Sequence, residues 1–284
     1  MSLSILTNVS AMQTQENLLN SSNAVATSME RLSSGLQINS AADDAAGYAI
    51  SQDLTSQVNG LDQASSNTND AISMVQTASS SLTNVQNMLQ RVYELGVQYN
   101  NGSNSSTDQQ DIQDEVNQLT QEIDRQQSSS DFNNINLLNG SAGCNGTVTF
   151  QVGANATDVL TATFSNVEST MSMFGTASWS QASVNGVVIN LGDANALTSL
   201  TSAIDAVSSL AAALGAVQNR LQYTSDAISS TEQNLSASNS QIKDVNMAQE
   251  MTNLTQEQIL EQAGTAMLSQ AQQQPQLILK LLQG

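Results

Sequence analysis

The residues of this chain that carry reactive groups are few and poorly placed for catalysis. The sequence has no histidine, which removes the commonest general base and the commonest metal ligand. It has one cysteine, Cys144, so neither an internal disulfide nor a pair of thiols for a metal or redox centre is possible. Asp43 and Asp44 are adjacent, and neighbouring helical residues point about 100° apart rather than at one substrate. We therefore expect no catalytic, metal or cofactor site and no enzyme activity.

The charge of the chain is strongly unbalanced. It carries 25 acidic and 6 basic residues, a formal net charge of −19, and the basic residues are scattered singly. No basic patch is present to neutralise a run of phosphates, so we expect neither a nucleic acid nor a membrane as partner. The acidic residues between 108 and 124 lack the spacing of a calcium loop and are typical of a solvated helix face.

Helical periodicity dominates both ends of the chain. The stretch from Asp43 to Tyr99 carries apolar residues mostly at steps of three, four and seven. A strict seven-residue repeat follows near the C-terminus, at Leu200, Val207, Leu214, Leu221, Ile228, Leu235 and Ile242. This period predicts a long helix packed along a second long helix, for which residues 43–99 are the natural partner. Between them, a shorter helix is predicted to start at a capping box, Thr107-Asp108-Gln109-Gln110.

The middle of the chain has the alternation of β-strands. Residues 147–152 alternate with period two, as do Leu160, Ala162 and Phe164, and Gly153, Asn155 and Asp158 supply turn residues between them. This pattern predicts a β-hairpin, and Val187-Val188-Ile189 predicts a further strand.

Together these patterns predict a mainly α protein, an elongated, folded-back helical rod of coiled-coil-like helices with a small β-hairpin region. We expect five segments: an N-terminal helix and connector (1–42), the N-terminal long helices (43–130), the hairpin with a short variable region (131–194), the C-terminal long helix (195–243) and a C-terminal helix (244–284). No cleaved secretory signal and no unbroken apolar run of membrane-spanning length are visible. The terminal helices are apolar without enough intrachain core, which favours self-assembly.

Several motifs resemble those of bacterial flagellin, the subunit of the flagellar filament. At the front these are residues 31–47 (RLSSGLQINSAADDAAG), 89–95 (LQRVYEL), 112–116 (IQDEV), 122–125 (EIDR) and 150–155 (FQVGAN). At the back they are residues 219–221 (NRL), 263–268 (AGTAML) and 274–276 (QPQ). The motifs stand in the family's order, and the chain is short where larger flagellins carry surface domains.

The resemblance implies a structural homopolymer. In that family the two termini pair as the innermost tube of the filament, and subunits leave through the flagellar secretion channel to be added at the tip. The implied partners are other subunits, the cap and junction proteins and an export chaperone, and the implied location is extracellular. We expect self-assembly contacts from Leu18, Leu32, Leu268, Leu277 and Leu281.

The same resemblance implies recognition by the innate Toll-like receptor that senses flagellin. The residues that match its contacts are Gln90, Arg91, Leu95 and Glu115.

Two structural alternatives remain open from the sequence, and one enzymatic alternative is excluded. A hook–filament junction protein shares the terminal helices, although residues 41–47 favour flagellin. A monomeric receptor-binding coiled coil would not polymerise on seeds. A flagellin with a metallopeptidase insert needs a His-Glu-x-x-His signature, which a chain without histidine does not have.

Overall fold

The computed structural model of the chain describes residues 8–167, 189, 191–192 and 195–283, with side chains as far as residue 273. Within these residues it contains five helices: α1 (Val9–Ser34), α2 (Ala45–Tyr99), α3 (Ser106–Ser129), α4 (Ala196–Lys243) and α5 (Met247–Gln283). Four short strands complete it: β1 (Asp131–Phe132), β2 (Ile135–Asn136), β3 (Thr147–Gln151) and β4 (Val159–Thr163). The prediction of a mainly α fold with a small β-hairpin region is confirmed.

The described chain divides into two compact units. One comprises residues 58–233 and the other comprises residues up to 57 together with those from 234 onward. We call the second the terminal unit.

The unit of residues 58–233 holds the hydrophobic core. The repeat on α4 is fully buried at Leu200, Val207, Leu214 and Leu221, each at most 1% exposed. It packs in one cluster with the α2 residues Val75, Leu82, Val85, Leu89 and Val92, as the seven-residue period predicts. The two helices approach closely at Gly96, where an added Cβ would lie 3.0 Å from Leu197 Cδ2.

Helix α4 is long and apolar enough to cross a membrane by length and composition alone. Its most apolar window of 18 residues has a mean hydropathy of 1.6, and 28% of that window is buried. The helix mixes alanine and polar residues such as serine with larger apolar residues, so it contains no unbroken apolar run of that length. The buried residues of α4 include the repeat positions that pack into the core, together with Ala196, Ala203 and Ala206.

The capping box of α3 begins two residues earlier than predicted. The cap is Ser105, whose Oγ accepts from Asp108 N while Asp108 Oδ2 accepts from Ser105 N at 2.9 Å. The prediction that Thr107 opens the box was wrong, because Asp108 is the third residue of the helix and closes the box itself.

The predicted hairpin is β3 paired antiparallel with β4, with Phe150 opposite Leu160. Of the predicted strand at 187–189, Val187 and Val188 lie outside the described residues, and Ile189 is buried but in no strand. A second hairpin, β1 with β2, was not predicted. Its turn is Asn133-Asn134, both with positive φ (49° and 65°), which asparagine tolerates better than most residues.

Candidate functional site

The first candidate site is the packed pair of α1 and α5, which we call the terminal pair. The two helices run antiparallel: Asn8 Nδ2 donates to the Ala271 carbonyl at 2.8 Å, and near the opposite ends Leu36 forms an antiparallel bridge with Asp244. The turns beside that bridge are joined by backbone hydrogen bonds, with Gln37 N donating to Lys243 O at 2.7 Å and Val245 N to Gly35 O at 3.0 Å. Gly35 caps α1 with a φ of 75°, a left-handed conformation that suits glycine.

The contact between α1 and α5 has a coiled-coil period but few large apolar residues. On α1 the buried or half-buried positions that follow steps of three and four are Ala11, Thr14, Leu18, Ser21, Val25, Ser28 and Leu32. On α5 they are Glu250, Leu254, Glu257, Glu261, Gly264, Leu268 and Ala271. Small and polar side chains therefore occupy positions that leucine or isoleucine fills in a strong coiled coil.

Leu18, Leu32 and Leu268, expected to serve self-assembly, are all half-buried in this intrachain contact. Leu18 packs against Gly264, where an added Cβ would lie 3.3 Å from Leu18 Cδ1. Leu277 and Leu281 lie on α5 beyond the described side chains.

The terminal unit has almost no hydrophobic core of its own. Among its described residues, Ile38 is the one large apolar side chain that is buried. Among the described residues, fourteen large apolar side chains are exposed, and ten of them belong to this unit. They are Val9, Met12, Leu19, Met29, Ile50, Met247, Met251, Ile259, Leu260 and Met267. Clustering of exposed apolar residues on one part of a protein marks an interaction surface.

Part of this apolar surface is continuous along α1. Val9, Met12 and Leu19 are spaced by three and seven residues, which places them on one side of the helix. They line one open groove together with Gln13, Gln15 and Glu16. Each of the three is at least 59% exposed, so the groove presents apolar side chains to a neighbour of matching chemistry.

The second candidate site, which we call the Arg91 face, connects α2 with α3. Arg91 Nη2 lies 2.9 Å and its Nε 3.1 Å from Glu115 Oε1, so both nitrogens donate to the same carboxylate oxygen. Its Nη1 lies 3.4 Å from Glu94 Oε2. The hydrogen bonds and charge of Glu115, followed by those of Glu94, raise the pKa of the Arg91 guanidinium. The three charged side chains stay accessible to solvent, as does Gln90.

Leu95 does not share that exposure. Its side chain is 1% exposed and belongs to the core cluster, while Gln90, Arg91 and Glu115 lie at the surface. The burial of Leu95 could have been predicted from the sequence. Leu95 follows Val92 at a step of three and so continues the buried series Leu82, Val85, Leu89 and Val92. In this fold Leu95 therefore affects the Arg91 face only by holding α2 in place.

Neither site has the geometry of a catalytic or metal centre. Among the described residues no three side chains of histidine, cysteine, aspartate or glutamate come together to hold a metal ion. Asp43 and Asp44 both serve local structure instead: Asp43 Oδ2 accepts from Asn39 N and Ser40 N in the turn before α2, and Asp44 Oδ1 accepts from Ala46 N at the start of α2. The Ser40 hydrogen bonds lower the pKa of Asp43.

Comparison with known proteins gives consistent matches across the chain. The family model described as the bacterial flagellin N-terminal helical region matches residues 5–143, and the one described as the C-terminal helical region matches residues 197–282. The chain is 40% identical over 298 residues to a flagellin of Bacillus subtilis (strain 168), covering 97% of this chain and 98% of that one. It is 43% identical over 291 residues to the flagellar filament 33 kDa core protein of Treponema phagedenis, with the same coverage. A crystal structure of Bacillus cereus flagellin aligns with a TM-score of 0.49 and 27% identity, covering 61% of this chain and 94% of that chain.

Proposed function

The chain belongs to the bacterial flagellin family, whose members are structural filament subunits rather than enzymes, and we propose that its terminal pair is the surface through which copies assemble. The protein is a component of the extracellular flagellar filament. The observation that carries the proposal is the terminal unit itself, in which ten large apolar side chains are exposed and one is buried.

The physical driving force for assembly is burial of those side chains. Burying one large apolar side chain contributes about 1.5–3 kcal/mol, whereas an exposed ion pair contributes about 0–1 kcal/mol. The net charge of −19 makes neighbouring subunits repel each other, so apolar burial has to exceed that repulsion. The small and polar residues between α1 and α5 support the same proposal, because a weakly held pair gains most from contacts with further copies.

The experiment is seeded polymerisation of the full-length protein. Monomer is mixed with filament fragments in ammonium sulfate, a salt that screens charge and strengthens apolar burial, and the product is pelleted and imaged by negative-stain electron microscopy. Long filaments support a filament subunit. A protein that stays short or monomeric on the seeds instead fits the alternative of a hook–filament junction protein, and this proposal is then wrong.

The proposal includes export of the subunit through the flagellar secretion channel and its addition at the filament tip. Cap and junction proteins and an export chaperone are the partners this route requires. Two features support it: the one cysteine is exposed and free, so no disulfide obstructs threading, and the terminal unit has little core to unfold. Retention of the protein inside cells that lack the flagellar export gate, with secretion restored by complementation, is the expected result.

We further propose that the Arg91 face is a contact for the innate Toll-like receptor that senses flagellin. Gln90, Arg91 and Glu115 present an amide, a guanidinium and a carboxylate at the surface, and charged groups of this kind orient a complementary partner. Leu95 contributes indirectly, through the packing that fixes α2. Signalling by purified monomer in receptor-bearing cells, compared with cells that lack the receptor, tests this contact.

A further inference from the structure

The methionines whose side chains the structure describes are divided sharply between two environments. There are seven of these methionines, and five of them are between 51% and 67% exposed. The exposed five are Met12, Met29, Met247, Met251 and Met267, all on α1 or α5. The other two are on α2: Met74 is 4% exposed and Met88 is packed against the core. Half of the ten exposed large apolar side chains of the terminal unit are thus methionine thioethers.

We propose that Met12, Met29, Met247, Met251 and Met267 are a set of oxidation sites through which peroxide-class oxidants block assembly of the free subunit. The thioether sulfur attacks one oxygen of hydrogen peroxide, the O–O bond breaks and an S–O bond forms. The second oxygen leaves as hydroxide and takes up the proton of the transferred oxygen, which gives water. The sulfur is oxidised by two electrons to the sulfoxide, and the peroxide is reduced. No group other than the oxidant is needed, and the only requirement on the protein is access to the sulfur.

Sulfoxidation changes the chemistry of the surface without touching the core. An apolar, flexible side chain becomes polar and acquires a strong hydrogen-bond acceptor, which is costly to bury unless a donor meets it. Met74 is buried in the unit of residues 58–233 and the five exposed methionines lie outside that unit, so oxidation at the five sites is expected to leave its core intact. Leucine or isoleucine at the five positions would not react with peroxide, and the neighbouring Val9, Leu19, Ile259 and Leu260 do not react with it either. The methionines therefore make this surface sensitive to oxidants.

This inference rests on the proposed assembly role of the terminal pair. Its first test, the rate of oxidation at each methionine, can be measured whether or not the protein assembles. All proteins carry Cys144→Ser, because the exposed thiol would otherwise oxidise in the same experiment. Monomer is treated with hydrogen peroxide, quenched with free methionine at intervals and analysed by peptide mass spectrometry. The five sites are expected to oxidise about tenfold or more faster than Met74, in keeping with their access to oxidant. Equal rates at the five sites and at Met74 would overturn the inference whether or not the protein polymerises.

The second arm measures assembly. Oxidised monomer is expected to show a critical concentration raised by about tenfold or more, the effect of one badly satisfied polar group. Treatment with methionine sulfoxide reductases is expected to restore it. The variant M12L/M29L/M247L/M251L/M267L is expected to polymerise equally before and after peroxide, and the control variant M74L/M88L to stay as sensitive as the parent.

The arms separate the two proposals. If the untreated protein does not polymerise, the assembly proposal fails, and the peptide rates still decide whether the five methionines are oxidation sites. If the fivefold leucine variant loses assembly to peroxide as the parent does, the oxidation inference is wrong while the assembly proposal stands.

Discussion

Leu18 on α1 packs directly over Gly264 on α5, so closely that a Cβ placed at Gly264 would lie 3.3 Å from Leu18 Cδ1. Glycine inside a helix costs about 0.5–1 kcal/mol relative to alanine. Its use here lets one of the few large apolar side chains of the α1–α5 contact approach the opposing backbone. The α1–α5 contact therefore includes a close approach between a leucine side chain and the opposing helix backbone.

The first prediction is that Gly264→Val prevents assembly without unfolding the protein. The branched side chain would collide with Leu18 and separate α1 from α5, while the core of residues 58–233 is untouched. Sedimentation is expected to find no polymer, and the main thermal transition by circular dichroism is expected to stay within a few degrees, since a shift of about 2–4 °C corresponds to about 1 kcal/mol at this size.

The matched control is Ala263→Val, one residue earlier and exposed on α5. It places the same branched side chain on the exposed side of the helix, away from Leu18. Filaments from Gly264→Val at the wild-type critical concentration would show that this close contact is not needed.

The second prediction concerns the burial of Leu95. Leu95→Ala removes a fully buried side chain and is expected to lower the free energy of unfolding by about 2–5 kcal/mol. Val97→Ala on the same helix, at a position 51% exposed, is expected to change it by less than about 0.5 kcal/mol. Urea denaturation of both variants measures the difference. Similar values for the two would mean that Leu95 is a surface residue, free to touch a receptor directly.

The third prediction tests the Arg91 face. Arg91→Ala is expected to weaken receptor signalling by monomer about tenfold or more, as loss of an arginine anchor commonly does. Glu115→Gln, which removes the carboxylate charge that holds the guanidinium, is expected to weaken it less. Arg125→Ala provides the control, because Arg125 forms a comparable exposed pair with Glu122 elsewhere on α3. If Arg125→Ala reduces signalling as much as Arg91→Ala, general loss of charge rather than this face is responsible.

The long helices were predictable because their signal is repeated many times. The breaker at Asn100-Asn101-Gly102 marks the end of α2 at Tyr99, and seven-residue spacing marks the buried stripe of α4. The hairpin of β3 and β4 follows from period-two alternation.

The features that could not be predicted from the sequence depend on single residues or on contacts between distant parts of the chain. The cap of α3 belongs to Ser105 rather than Thr107, a choice between two good capping residues that local pattern does not decide. The hairpin of β1 and β2 has two residues in each strand, too few for alternation to appear. The contact of α1 with α5 places Glu250 at 7% exposure, and a buried glutamate is not what an apolar period identifies.

The fourth prediction is a pH dependence at the start of α3. The hydrogen bonds from Ser105 lower the pKa of Asp108 below 3.8, its ordinary value. Because the folded-state pKa is the lower one, the stabilising contribution is present above pH 3.8 and is lost as the pH falls through the folded-state value. Hydrogen exchange at the first turn of α3 is therefore expected to speed up, relative to the helix centre, as the solution is acidified below that point.

Asp108→Ala is expected to speed up hydrogen exchange in the first turn of α3 at neutral pH. It is also expected to remove the additional increase in exchange that acid causes there. Asp114→Ala, further along α3 and outside the cap, is expected to leave both unchanged. An acid response that persists in Asp108→Ala would assign it to other carboxylates.

The central claim is that the terminal pair assembles the filament while residues between the two ends fold without it. The most direct measurement is sedimentation, with seeds, of a fragment of residues 43–242 beside the full-length protein, with circular dichroism on both. The full-length protein is expected to pellet as filaments, and the fragment to stay in the supernatant with a strongly helical spectrum and a cooperative thermal transition, since little core depends on the removed ends. Filaments formed by the fragment, or a fragment that has lost its helical spectrum, would contradict this account.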